Sequence, residues 1–185
     1  MDAKKIESAV LSILEALGED TSREGLVGTP ARVARMYSEI LDGMGKDPRK
    51  EVTVTFGEKY DEIIAVKDIP FYSLCEHHLV PFFGMAHIAY IPENGRVTGL
   101  SKLIRVIDVL AKRLQLQERM TYEIADTLMD ALKPKGVMVV VQAEHLCISM
   151  RGVQKPGAQT VTSAVQGIFR ANEATREEAL RLLTT

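Results

Sequence analysis

A chain of 185 residues, 46% hydrophobic and 26% charged, has the length and balance of one globular domain with a well-filled core, and is long for a scaffold that needs disulfide staples. Its formal charge of -2 gives no global basic field to attract nucleic acid or a membrane surface, so any anion must be gripped locally. No apolar run approaches the roughly 18 to 20 residues needed to cross a bilayer, and Glu7 and Glu15 interrupt the amino-terminal apolar pattern, unlike a secretory signal. With Cys75 and Cys147 as the two cysteines, this predicts a cytoplasmic protein whose thiols are free or metal-bound.

Ile6, Val10, Ile13, Leu14 and Leu17 recur at helical spacing before Gly18 and predict a first amphipathic helix with one buried stripe. A second is predicted with Thr29 as its cap, Pro30 at its first position, and Val33, Met36, Tyr37, Ile40 and Leu41 on its apolar face. Residues 1–48 therefore read as a helical arm. From Glu51 the period changes, and "EVTVTF", "EIIAVKDI" and "GMAHIAYIP" predict strands. Helical spacing returns in "SKLIRVIDVLAKRLQ" and in "TYEIADTLMDALKP", the latter ending near Pro134, with the polar junction "LQER" between them. "GVMVVVQAEHLCISM" and "QTVTSAVQGIF" predict further strands, and "NEATREEALRLL" a closing helix. Residues 49–185 thus form an α+β core, an antiparallel sheet with two helices on one face, with the arm helices packed outside it.

"SLCEHHLVPFFG" sets a thiol, a carboxylate and two imidazoles in consecutive positions against an apolar wall. Burying such groups costs free energy unless each finds a partner, so the crowding argues for chemistry. Cys75 and His78 have C-x-x-H spacing, which a tight turn can direct to one side. In "EHLC" a strand would place His145 and Cys147 on a shared face. Cys75, His78 and Cys147 then offer three ligands suited to Zn²⁺, leaving the fourth tetrahedral position for water. His77 and His145 are the candidates for moving protons near neutral pH. Taken singly, each residue has a plainer use: a buried cysteine packs as a small hydrophobe, and a histidine can satisfy a backbone carbonyl. His87 reads as structural, and Glu76 either orients a histidine or faces water.

In "GLSKLIR", Ser101 is placed as a helix cap with Lys102 and Arg105 in the first turns, where unpaired N–H groups and two cations would hold phosphate, or where the charges simply make a solvated face. Gln117 and Glu118, in "LQLQERMT", lie at a helix junction where a carboxylate and an amide match the guanine edge, though such residues more often cap helices. Arg151 in "MRGV" could add a phosphate contact or make an ordinary surface ion pair.

Together "REGLVGTPARVARMY", "SLCEHHLVPFFGMAHIAYIP", "VTGLSKLIRVIDVLAKRLQLQERMT" and "AEHLCISMRGV" resemble the GTP cyclohydrolase I family, over about Arg23 to Phe169. The resemblance implies the tunnelling fold, assembled by barrel formation into a toroidal homodecamer with sites at subunit contacts. It implies that Cys75, His78 and Cys147 hold catalytic zinc, that water activated there attacks C8 of GTP, and that the ring opens and formate leaves. His77 and His145 would transfer protons, and Ser101 would assist the ribose rearrangement before closure to 7,8-dihydroneopterin triphosphate, at the entry to pterin and folate synthesis. Glu118 with Gln117 would anchor guanine, Lys102, Arg105 and Arg151 would hold the triphosphate, and Arg32 would reach a neighbouring subunit's site. Thr21, where proline is frequent, and Gln166 depart from the family pattern without touching a proposed ligand. Two other readings are a related tunnelling-fold enzyme acting on another purine or pterin, and a non-catalytic oligomeric scaffold with structural zinc. The second would need His77 or His145 as a fourth ligand.

Overall fold

The computed structural model describes residues 1–53 and 55–184. It divides into two compact units, Met1–Asp42 and a larger one beginning at Gly43.

In the first unit, α1 (Ala3–Ala16) packs on α3 (Thr29–Ile40), with the single turn α2 (Glu24–Val27) between them. Asp2 caps α1 by accepting the Lys5 N–H at 3.1 Å. Two expectations fail here. No residue of α1 is buried, and Ile13 and Leu17 are exposed. A single helical neighbour covers only part of an apolar stripe that is some 100° wide. Nor does Thr29 cap α3: Gly28 takes that place, and Thr29 is the first helical residue. Its hydroxyl points back to the Gly25 carbonyl at 3.4 Å and accepts from Arg32 at 2.8 Å, so it is turned away from the first-turn N–H groups.

The larger unit opens with a 3-10 turn, Pro48–Glu51, and a short strand β1 (Thr55–Gly57) paired with β4 (Arg96–Thr98). The predicted strand "EVTVTF" is thus helical at Glu51 and extended from Thr55, while Val54 lies outside the described residues. The main sheet comprises β2 (Ile64–Cys75), β3 (Pro81–Ile91), β5 (Leu114–Gln115), β6 (Gly136–His145) and β7 (Gln159–Gly167), in the order β5-β2-β3-β6-β7. All pairings are antiparallel except β2 with the two-residue β5. β2 runs further than its sequence suggests. It absorbs Pro70, and a register shift between Val66 and Ile69 leaves Asp68 at φ 56°, where its N–H donates to His87 Nδ1 at 3.1 Å. His87 is therefore given a structural use, as expected.

Alternation along the strands sends Phe71, Phe82, Ile88, Val139 and Val141 to one face, where they meet Leu103, Ile107 and Leu110 of α4 (Leu100–Ala111) and Met120, Ile124 and Leu128 of α5 (Gln117–Leu132). This is the expected α+β layer. On the opposite face the short α7 (Ile168–Ala171) and α8 (Glu173–Thr184) bury Phe169, Ala179 and Leu183 against Ala89, Ile91 and Met138. Elsewhere that face carries the stacked pair Tyr72 and Phe83, ring centroids 5.5 Å apart, with Tyr72, Met85 and Val161 exposed. β3 and β6 approach so closely at Gly84 that a Cβ there would stand 1.9 Å from the Gln142 carbonyl oxygen.

Candidate metal and nucleotide site

The C-x-x-H segment is a hairpin turn between β2 and β3. Cys75 closes β2, its N–H donating to the Val80 carbonyl at 3.0 Å, while the His78 and Leu79 N–H groups both point at the Cys75 carbonyl. Leu79 takes a left-handed φ of 54° to finish the turn. The third ligand arrives differently from expectation. β6 ends at His145, and Cys147 sits on the one-turn helix α6 (Leu146–Ser149), so the two do not share a strand face. The helical turn nonetheless carries Cys147 back to the hairpin. One ligand atom from each of Cys75, His78 and Cys147 lies within 4.8 Å of the others, and among the described residues no fourth protein ligand joins them.

The donor set fits a metal ion. Burial pushes the Cys147 thiol upward, and the neighbouring Cys75 pushes it further, because two adjacent thiolates repel. A bound dication reverses that electrostatic cost and deprotonates its thiol ligands. Arg151, exposed, places Nη1 3.3 Å from His78 Nε2, so a cation stands at the rim of the cluster.

His145 is half-buried, its ring stacked on Phe82 with centroids 4.6 Å apart and planes 3° from parallel. The apolar wall of "LVPFFG" thus serves as a platform for an imidazole. Burial lowers the His145 pKa from its ordinary value, and the nearby Glu118 carboxylate works in the opposite direction. Its Nε2 lies 2.7 Å from Gln117 Oε1. Gln117 itself is only 1% exposed, its amide nitrogen set among Val141 O, Thr160 O and Thr162 Oγ1 at 3.0–3.1 Å. Glu118, by contrast, is exposed in the first turn of α5, on a cleft shared with Tyr122, Ser163 and Arg170.

His77 is exposed on the turn, its ring centroid 6.3 Å from that of His78. Ser101, Lys102 and Arg105 occupy the first two turns of α4, but Ser101 is not its cap. Gly99 is, without a side-chain bond, which leaves the first-turn N–H groups uncovered by any capping side chain. No hydrogen bond or ion pair joins these three to the metal cluster among the described residues. Arg32 belongs to the smaller unit, where its guanidinium donates to the Gly25 carbonyl and the Thr29 hydroxyl, both at 2.8 Å.

Two positioning groups escaped the sequence reading. Arg119 donates to Glu76 in the hairpin turn, to Gln115 Oε1 at 3.0 Å and to the Leu114 carbonyl at 3.1 Å. The Arg119 guanidinium holds the Glu76 carboxyl below its usual range. It fastens the ligand-bearing turn to the start of α5, where Gln117 and Glu118 lie. Glu144 accepts from the Ser149 hydroxyl at 2.5 Å and the Gly157 N–H at 3.1 Å, which ties the segment carrying Arg151 to β6. The signal for Arg119 was its place directly after Glu118; nothing local marked Glu144. Arg119 touches none of the three candidate ligands but fastens the turn that carries Cys75 and His78, so Arg119→Met is expected to weaken metal retention in chelator competition by roughly tenfold, the lower end of the range for groups bonded to ligands themselves, with Arg119→Lys intermediate.

A family model described as GTP cyclohydrolase I matches residues 6–184. The chain belongs to the GTP cyclohydrolase I family. It is accordingly an enzyme. Curated relatives called GTP cyclohydrolase 1 include that of Clostridioides difficile, 63% identical over 100% of this chain and 97% of the relative. Those of Pelotomaculum thermopropionicum and Streptococcus mutans are 61% and 57% identical, each over 98% of this chain and 97% and 95% of theirs. Among solved structures, an archaeosine synthase QueF-like protein in its apo form aligns with a TM-score of 0.47 and 18% identity, over 59% of this chain and 97% of its own.

Proposed function

We propose that the protein hydrolyses and rearranges GTP to 7,8-dihydroneopterin triphosphate with release of formate, the first step of pterin and folate synthesis, using Zn²⁺ held by Cys75, His78 and Cys147. The observation that carries the reading is the convergence of those three side chains beside a stacked, half-buried histidine. Bound there, Zn²⁺ would supply Lewis acidity and bring the deprotonation of water toward neutral pH.

The chain's own residues would do the rest. Glu118 accepts from the guanine N1–H and 2-amino groups, which places C8 near the ligand cluster. His145, steadied by Phe82, takes and returns protons as water adds at C8 and the imidazole ring opens. His77 serves the departure of formate. Lys102 and Arg105, with the uncovered N–H groups of α4, hold phosphates, and Arg151 holds another at the rim. Ser101 assists the ribose rearrangement, and Arg32 reaches a site on another subunit. That division of labour calls for an oligomer, a decamer in this reading, with each site completed at a subunit contact. The exposed Tyr72, Met85 and Val161 on an uncovered sheet region and the open edge of β7 support such assembly. A thiol-based zinc cluster suits the reducing cytoplasm, and no described helix is long and apolar enough to cross a membrane.

Purified protein incubated with GTP is expected to yield formate and, after oxidation, a fluorescent pterin in equal amounts. Oligomeric protein with stoichiometric zinc that releases no formate would overturn the reading.

A further inference from the structure

Gln117 is placed where a base-recognising amide was expected, yet its side chain is 1% exposed and turned inward to β6 and β7. The amide nitrogen lies 3.0 Å from two backbone carbonyl oxygens, Val141 O and Thr160 O, which can only accept. Flipping the amide would set its oxygen against both, so the orientation is fixed. The hydroxyls agree. Thr121 Oγ1 donates its one proton to the backbone carbonyl of Gln117 at 2.7 Å, so the 2.7 Å contact between Thr121 and Thr162 must use the Thr162 proton. That leaves a Thr162 lone pair facing the Gln117 amide nitrogen at 3.1 Å. With its nitrogen committed, Gln117 presents only an oxygen to His145 Nε2, at 2.7 Å. An oxygen acceptor requires Nε2 to carry a proton.

We infer that Gln117 is a positioning residue which fixes His145 as the Nε2–H tautomer and so leaves Nδ1 as its basic nitrogen, rather than a contact to the guanine edge. His145 Nδ1 has no hydrogen-bond partner among the described residues, and the ring's stacking on Phe82 holds it at one angle. This deepens the proposed function and rests on it for the use of His145, but the tautomer follows from hydrogen-bond polarity alone. Thr162, its hydroxyl oriented by Thr121, orders the amide from behind.

The test uses the assembled, zinc-loaded protein with histidine-selective 15N labelling and magic-angle-spinning NMR, assigned by a His145→Gln sample. The expected wild-type spectrum shows His145 protonated at Nε2 and unprotonated at Nδ1. The Nδ1–H form, or both tautomers side by side, overturns the inference whether or not GTP is turned over. In Gln117→Leu the single tautomer is expected to be lost and kcat to fall about a hundredfold or more, the scale of a general acid–base group, with KM within about threefold. A rise in KM with kcat unchanged would instead mark Gln117 as a base contact and overturn it. Absence of formate from the wild type would sink the proposed function and leave the NMR result standing.

Discussion

Cys147→Ala is expected to release less than about one hundredth of the formate that wild-type protein releases from GTP, while staying folded and assembled. The residue is half-exposed on a single helical turn and contributes to the large core only at its margin, so shortening it removes little packing. What it removes is one of three ligand atoms that lie within 4.8 Å of each other. Groups behind metal ligands already cost ten- to a hundredfold when altered, and a ligand should cost more. Zinc content measured beside activity separates the cases: metal and formate should fall together, with circular dichroism and sedimentation unchanged. A variant that keeps its zinc and its turnover would remove Cys147 from the centre. One that unfolds would make the metal structural, since metal binding and folding are then one equilibrium.

Much of this centre could be read before any coordinates. The C-x-x-H spacing suffices because the tight turn from Cys75 to His78, closed by the His78 N–H on the Cys75 carbonyl, brings the two positions together whatever lies beyond. Cys147 reaches the cluster by a different local route from the one its sequence suggests. The sequence suggests a continuous strand through "EHLCISM", because its alternation of apolar residues suits either period over so short a run. The strand ends at His145, and Glu144 beside it bonds the Ser149 hydroxyl and the Gly157 N–H, contacts that span five and thirteen positions and that no local pattern announces. The helix caps also differ from expectation. Thr29 and Ser101 have the chemistry of an N-cap, but Gly28 and Gly99 take the position and both hydroxyl residues fall just inside the helix. The layer of α4 and α5 on the sheet was legible from periodicity, since every second strand residue and every third or fourth helix residue is apolar. The cover that α7 and α8 give the other face was not. It depends on Ala89, Ile91 and Met138, which read on the strand as a continuous apolar run with no preferred side. Gln117 shows the deepest limit: its place at the start of α5 is legible, but its three amide partners come from two strands more than twenty residues away.

Removing the carboxylate of Glu118 should separate base recognition from chemistry. An ionised carboxylate only accepts, and the guanine edge offers two donors side by side, N1–H and the 2-amino group. Each charge-assisted bond contributes about 1.5–3 kcal/mol, so Glu118→Ala is expected to lower kcat/KM for GTP by roughly 10²- to 10⁴-fold. Glu118→Gln should fare little better, because one amide position would present an N–H to a donor. Inosine triphosphate supplies the control: it lacks the 2-amino group, so the wild type should discriminate against it and Glu118→Ala should not. The position favours this role. Glu118 lies in the first turn of α5, where the helix dipole stabilises negative charge, and it opens on a cleft rather than into the core. Its negative charge also reaches His145. On the proposed reading, a base held by that carboxylate would be presented to the imidazole proposed to serve C8. If Glu118→Ala kept the wild-type preference for GTP over inosine triphosphate, the base would have to be read by backbone groups or by another subunit, and the placement of C8 against the Cys75, His78 and Cys147 cluster would lose its anchor.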